Sequence, residues 1–254
     1  MSGNSVVLVG ETMAAVVDAV TAVGKLTGSR PIVVGGLAVL ARLSSAHRAT
    51  LDLDIVDRRA EGQAGQLEIL RNSEEASPAE PAAVTLPTRF GEVRVDVLEV
   101  NQHELDRPSD DAGDRLHVGS HAWAADSATD VTISVLGSEH RELVRVATKI
   151  AEPGPLVTMK LQSIMNRGNA KAGTDLWDIS RLTLDPVCRR AVLDQLEGIS
   201  PELAADALQH VDLWFQRKRS WSLDRLADVA GNSFSTDDFD LVGELLAAAC
   251  QPRH

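Results

Sequence analysis

Two periodicities divide the chain. Between about residues 31 and 150 apolar residues come in short runs or alternate with polar ones, and beyond Pro155 they recur at three- and four-residue intervals. Alternation marks a strand with one buried face, and the longer interval marks a helix with one buried stripe. PIVVGG at 31–36, LDLDIVD at 51–57, AAVTL at 82–86, EVRVDVLEV at 92–100, VTISVL at 131–136 and LVRVAT at 143–148 are the expected strands, with PTRFG turning a hairpin between the third and fourth. Ala and Val at helical spacing over 11–27, stopping before Gly28, predict a first helix; LAVLARL at 37–43 and residues 60–72 predict two more. Residues 73–83 and 101–130 are polar and aperiodic and are expected to be loops.

After Pro155 the segments 157–168, 174–184, 187–197, 201–216, 221–230 and 236–250 all predict helices. In 201–216, Leu203, Ala207, Leu208, Val211 and Trp214 make one stripe, which reads as core. The expectation is an α+β chain, with a sheet and its flanking helices over residues 1–152 and an all-helical lobe over 153–254.

Composition narrows the function classes. At 254 residues and 44% hydrophobic the chain can bury a substantial core. It has no apolar run of the roughly 18 residues that a transmembrane helix needs. It also lacks a basic segment leading into an apolar one at the N-terminus, so a cytoplasmic protein is expected. Two cysteines, Cys188 and Cys250, make neither a disulfide framework nor a zinc site. The absence of tyrosine argues against a base-stacking platform. A net charge of −12 disfavours non-specific nucleic-acid binding, yet residues 141–190 carry nine Lys/Arg against five Asp/Glu, and Arg217, Lys218 and Arg219 adjoin.

The candidate chemistry lies in GGLAVLARLSSAHRATLDLDIVD, residues 35–57. Asp52 and Asp54 are two apart on a strand, so their carboxylates share the face opposite Leu51, Leu53 and Ile55. Adjacent carboxylates repel unless a cation sits between them, and such a pair with substrate phosphates suits Mg²⁺. In VRVDVL, Asp96 also points away from the buried valines, where it could ligate a second metal or take a proton. Gly35 and Gly36 open a helix, where backbone N–H groups can hold phosphate oxygens. An Asp-x-Asp alone says little: Asp238 and Asp240 make a second one, explained by a helix N-terminus.

These residues resemble the opening motif of the AbiEii/MenT-type toxin nucleotidyltransferases, a branch of the DNA polymerase β-like superfamily. That family has a Gly-Gly or Gly-Ser turn, a short helix and an Arg-x-Thr-x-Asp-Leu-Asp run, matched here by Arg48, Thr50, Asp52, Leu53 and Asp54. The resemblance continues in VTMKLQSIMNRGNAKAGTDLWDISRL, residues 157–182, where Lys160, Arg167, Lys171, Asp175 and Asp178 follow the family's order. Gly36 stands where many superfamily members carry serine, and the gap from Gly36 to Asp52 is longer than usual. On a single helix Lys160, Arg167 and Lys171, at i, i+7 and i+11, would fall near one face. Asp175 after Thr174 would be a first-turn acid, and Asp178 could pair with Arg181.

The resemblance implies a nucleotidyltransferase-type mixed sheet. It implies an Mg²⁺-dependent enzyme that joins the NMP of an NTP to the 3′ end of tRNA, arrests growth and is countered by a cognate antitoxin. In that reading Asp52, Asp54 and Asp96 hold metal, with Asp96 as third ligand or general base. Gly35, Gly36, Arg48, Thr50 and Lys160 bind the nucleotide, Arg167 and Lys171 the RNA, and Asp175 or Asp178 is the essential C-terminal acid. A different enzyme reading, suited to the acidic charge, is nucleotidylation of a cationic small molecule such as an aminoglycoside. A third is an inactive fold used as a binding module.

Overall fold

The six predicted strand segments, together with β1 and with β4 in the segment expected to be a loop, form one eight-stranded sheet among the described residues: β1 (Asn4–Val9), β2 (Ile32–Val34), β3 (Leu53–Arg59), β4 (Ser77–Pro78), β5 (Ala83–Thr88), β6 (Gly91–Asn101), β7 (Thr129–Leu136) and β8 (Glu142–Ile150). The structure is a computed structural model and describes residues 4–59, 62–166 and 168–251. The strand order is β1-β7-β8-β2-β3-β6-β5-β4. Pairing is parallel for β1–β7, β8–β2 and β3–β6 and antiparallel elsewhere, so the sheet is mixed and the α+β class is observed. The chain forms two compact units, residues 1–106 with 121–152 and residues 107–120 with 153–254.

In the sheet unit, α1 (Glu11–Thr27) buries Met13, Val16, Val17, Val20 and Val23 along one side. It closes at Gly28, whose φ of 71° is left-handed. The short α2 (Gly35–Arg42) is tied down at its end, where Arg42 donates to the carbonyl of Ala151 at 2.9 Å and reaches Glu152 at 3.1 Å. Only Gln66–Arg71 of the segment 60–72 is described as helical, as α3. Its first N–H donates to buried Asp57 at 2.7 Å.

Two expectations are corrected here, and one strand is added. β1 was not foreseen: it is set by its distant parallel partner β7, and Val7 and Val9 are exposed. Leu51 does not join the core; it is 70% exposed, because β3 begins at Leu53 and Asp52 lies in the bend before it. Residues 101–130 are not all loop but contain α4 (Gln102–Asp106) and α5 (Ala112–Asp126). The Asp111 carboxylate caps α5 by accepting from the N–H of Gly113 and of Asp114, at 2.8 and 3.0 Å.

The helical unit holds α6 (Pro153–Ser163), a 3₁₀ turn (Ile164–Asn166), α7 (Asn169–Leu184), α8 (Arg189–Glu197), α9 (Pro201–Val211), a π-helical segment (Asp212–Arg217), α10 (Arg219–Ala230) and α11 (Thr236–Cys250). The predicted stripe holds at Ala207, Val211 and Trp214, which are buried. Phe215 stacks on Phe239 at 4.7 Å, and the indole N–H of Trp214 donates to the Leu161 carbonyl at 2.8 Å. Cys188 and Cys250 are both buried, and burial pushes the Cys250 thiol up to about 12. Among the described residues no helix is long and apolar enough to cross a membrane.

α7 packs on α10 through Gly173, where an added Cβ would lie 2.3 Å from the Arg225 carbonyl oxygen. Alanine favours a helix over glycine by about 1 kcal/mol. A rigid backbone obstacle typically costs about 1–3 kcal/mol. Gly173→Ala is therefore expected to lower stability in urea unfolding; a variant as stable as wild type would mean that α7 and α10 separate readily.

Candidate active site

The glycine pair and the acidic strand meet at one corner of the sheet unit. β2 runs antiparallel to β3 with Val34 opposite Asp54. The chain then turns at Gly35, whose φ of 61° suits only glycine without strain. A Cβ at Gly35 would lie 2.0 Å from Asp54 Oδ2. The Asp54 carboxylate thus occupies the space of the missing side chain, and the Gly36 N–H points to Asp54 Oδ2 at 3.4 Å. A Cβ at Gly36 would meet Thr50 Oγ1 at 2.7 Å and an Arg48 nitrogen at 3.0 Å. Thr50 is buried, and its hydroxyl donates to the Asp52 carbonyl at 3.3 Å. Gly35, Gly36, Arg48, Thr50 and Asp54 are therefore assembled as neighbours, with half-buried Asp52 two residues from Asp54.

β3 and β6 are parallel with Asp54 opposite Asp96, so the two carboxylates lie on one sheet face while Leu53, Ile55, Val95 and Val97 fill the other. Sequence reasoning missed what Asp96 binds. Arg94, two residues earlier on the same face, places Nε 3.0 Å from Asp96 Oδ2 and a terminal nitrogen 2.7 Å from Oδ1. The same terminal nitrogen donates to Glu80 at 2.9 Å. Hydrogen bonds to Glu80 and Asp96 hold the Arg94 guanidinium far above its ordinary range. The signal was the i, i+2 spacing of Arg94 and Asp96; Glu80, in the segment before β5, gave none. Among the described residues no group of three or more His, Cys, Asp or Glu is placed to hold a metal ion. Two carboxylates, Asp52 and Asp54, remain a donor set that Mg²⁺ accepts when phosphate oxygens supply the rest.

The second anchor lies in the helical unit. Lys160 Nζ sits 2.6 Å from Asp175 Oδ1 and 2.7 Å from Asp178 Oδ2, with all three side chains buried. Ser163 adds a hydrogen bond to Asp175 at 2.8 Å. Two local expectations change. Lys160 and Lys171 are on different helices, α6 and α7, so they do not share one helix face. α7 starts at Asn169, so Asp175 is no first-turn acid and Thr174 no N-cap. Asp178 ion-pairs with Lys160. Lys171 is exposed in the first turn of α7, and Arg167 lies outside the described residues. The second Asp-x-Asp is structural: Asp238 completes a capping box with Ser235, and Asp240 pairs with Arg219 at 2.7 Å.

No protein-family model and no curated protein matches this chain. Among solved structures it is similar to the crystal structure of an antigenic nucleotidyltransferase-like protein from Paracoccidioides brasiliensis. The identity is 18%, the match covers 89% of this chain and 99% of that one, and the TM-score is 0.43.

Gly35→Ala must pay the left-handed penalty of about 1–2 kcal/mol and displace Asp54. Gly36→Ala has only its contacts to relieve. Gly35→Ala should be the more destabilised of the two in urea unfolding. Adding Asp54→Ala should restore part of the loss, and simple additivity would show that the two residues are uncoupled. In the helical unit Lys160→Ala takes a shared cation from two buried carboxylates and should cost about 3–5 kcal/mol, read by the same unfolding experiment.

Proposed function

We propose that this chain is a nucleotidyltransferase that moves an NMP from an NTP to the 3′ end of tRNA, acting as the toxin of a toxin–antitoxin pair. The observation that carries the reading is the fit of the Gly35–Gly36 turn against Asp54. It joins backbone N–H groups at the head of a helix, which suit phosphate, to a carboxylate that suits a phosphate-bound cation. The order of Arg48, Thr50, Asp52 and Asp54 around that turn supports it, as does the resemblance of these residues to the AbiEii/MenT motif.

In this reading Gly35 and Gly36 bind the triphosphate through their N–H groups, and Arg48 offsets its charge. Asp52 and Asp54 would hold Mg²⁺, which supplies charge neutralisation on the phosphates when bound. The acceptor hydroxyl oxygen forms a bond to the α-phosphorus as the α–β anhydride bond breaks. Pyrophosphate leaves, and the hydroxyl proton passes to Asp96 or to water. Lys171 and Arg167 meet the RNA backbone. Lys160, Asp175 and Asp178 act as one charged unit, and disturbing any of them changes the stability of the helical unit as well as any chemistry. The net charge of −12 favours a second reading, with a cationic small molecule as acceptor.

The protein should be incubated with α-labelled NTPs, Mg²⁺ and either total RNA or an aminoglycoside panel. Label is expected on RNA of tRNA size, and prior periodate oxidation of the RNA 3′ ends should abolish it. Asp52→Ala and Asp54→Ala should fold normally and transfer nothing. Lys171→Ala should reduce the salt slope of RNA binding by about one. Label on the aminoglycoside alone would select the small-molecule reading, and wild-type transfer by Asp54→Ala would remove the carboxylate assignment. Growth arrest on expression of wild type but not of Asp54→Ala is the corresponding test of the toxin role.

A further inference from the structure

We infer that the outer edge of β1 is a self-association surface, on which a second copy of this chain lays its own β1 antiparallel across a two-fold axis and continues the sheet. The inference does not depend on the proposed chemistry; it concerns where the protein meets another molecule, whatever reaction it carries out.

The two ends of the sheet differ. β4 ends it on one side with only Ser77 and Pro78, and a proline has no N–H to give to a further strand. β1 ends it on the other side with the six residues Asn4–Val9, and its one strand partner among the described residues is β7. An edge strand offers unpaired N–H and C=O groups to any other strand, so edges are commonly guarded by a lysine, a proline, an inward charge or a bulge. β1 carries no charge and no proline, and its register with β7 runs unbroken from Asn4 to Val9. Pairing of β1 with β4 of another copy would build an open chain of copies, and the short, proline-containing β4 blocks it. Pairing of β1 with β1 is self-complementary and closes at two copies.

Charge selects the second copy and the place where it fits. Two copies bring together a net charge of −12 each, so the contact least opposed is one where neither carries charge. Ser5, Val7 and Val9 share one face of β1, and the β7 residues opposite them are Thr132, Ser134 and Leu136. Both outer strands are therefore uncharged on that face along this span. Val7 is 58% exposed and Val9 69%, while Leu8 is buried on the other face. A two-fold axis perpendicular to the sheet keeps each face on its own side. With Val7 on the axis, Val7 meets Val7 of the second copy and Val9 meets its Ser5, so the exposed valines gain cross-strand neighbours. Two strands this short cover less than the roughly 1,200 Å² of a standard interface, so the dimer is reversible and concentration-dependent.

Sedimentation velocity of the full chain, from micromolar to near-millimolar concentration, should show a monomer–dimer equilibrium and no larger species. Val7→Lys and Val7→Glu alter a side chain that is exposed in the single copy, so both should keep the wild-type unfolding midpoint in dilute solution. Each should weaken the dimer by about tenfold or more, because like charges then face each other across the axis. Mixing the two variants should restore a dimer, which a merely damaged strand would not do. A wild type that stays monomeric over the whole range overturns the inference, and so does dimerisation of both variants at wild-type strength. Growth beyond two copies overturns the closed pairing, and a mixture that stays monomeric overturns the placement of Val7 on the axis.

Discussion

One absent atom organises the sheet unit. At Gly35 the chain leaves β2 through a left-handed turn, and the volume a Cβ would need is filled by the carboxylate of Asp54. Glycine is required twice over, by the backbone angle and by the neighbour. Because Val34 is paired with Asp54 across β2 and β3, the start of α2 is bound to one register of β3. The same register, carried through the parallel β3–β6 pair, brings Asp54 beside Asp96. The position of three functional candidates along three different elements thus follows from a single close contact. A one-residue slip of β3 would turn Asp54 into the core and Leu53 out to solvent.

Each unit also has to contain more negative than positive charge in a small space, and they do it differently. In the sheet unit the compensating group is Arg94, a third exposed and flanked by an acid on either side. Water screens it, and it bonds both acids at once. In the helical unit the compensating group is Lys160, buried between Asp175 and Asp178 with a serine hydroxyl alongside. There the dielectric is low and every partner is needed, so the arrangement acts as a fixed joint between α6 and α7. The first network lies partly in solvent and the second is closed off from it.

The sequence made some of this legible for identifiable reasons. α1 and α11 have the bounds that periodicity predicts, because Gly28 ends the one and the Ser235–Asp238 capping box begins the other. The proximity of Asp54, Thr50 and Arg48 to the glycine turn follows a motif that can be read by eye. The hidden features depend on residues far apart in the chain or on local caps that periodicity ignores. α5 has a weak apolar stripe and is held by its Asp111 cap and by Arg115, which reaches Asp206 in α9 at 2.6 Å. Glu80 reaches Arg94 only because β5 and β6 fold back as a hairpin, placing Thr85 opposite Arg94. Leu51 shows the limit of alternation: a pattern of every second residue cannot tell where a strand starts.

The edge strand β1 has a consequence for how the protein is made. Asn4–Val9 carries no charge and leaves Val7 and Val9 largely uncovered even in the finished sheet. Among the described residues its one strand partner is β7, which reaches the ribosome exit after every strand from β2 to β6. During translation this short, β-prone segment therefore waits for most of the sheet unit with its backbone unpaired. Slow or paused synthesis lengthens that wait and favours pairing with other nascent chains. Yield of native protein should consequently depend more on translation rate and chaperone supply than on the stability of the finished fold.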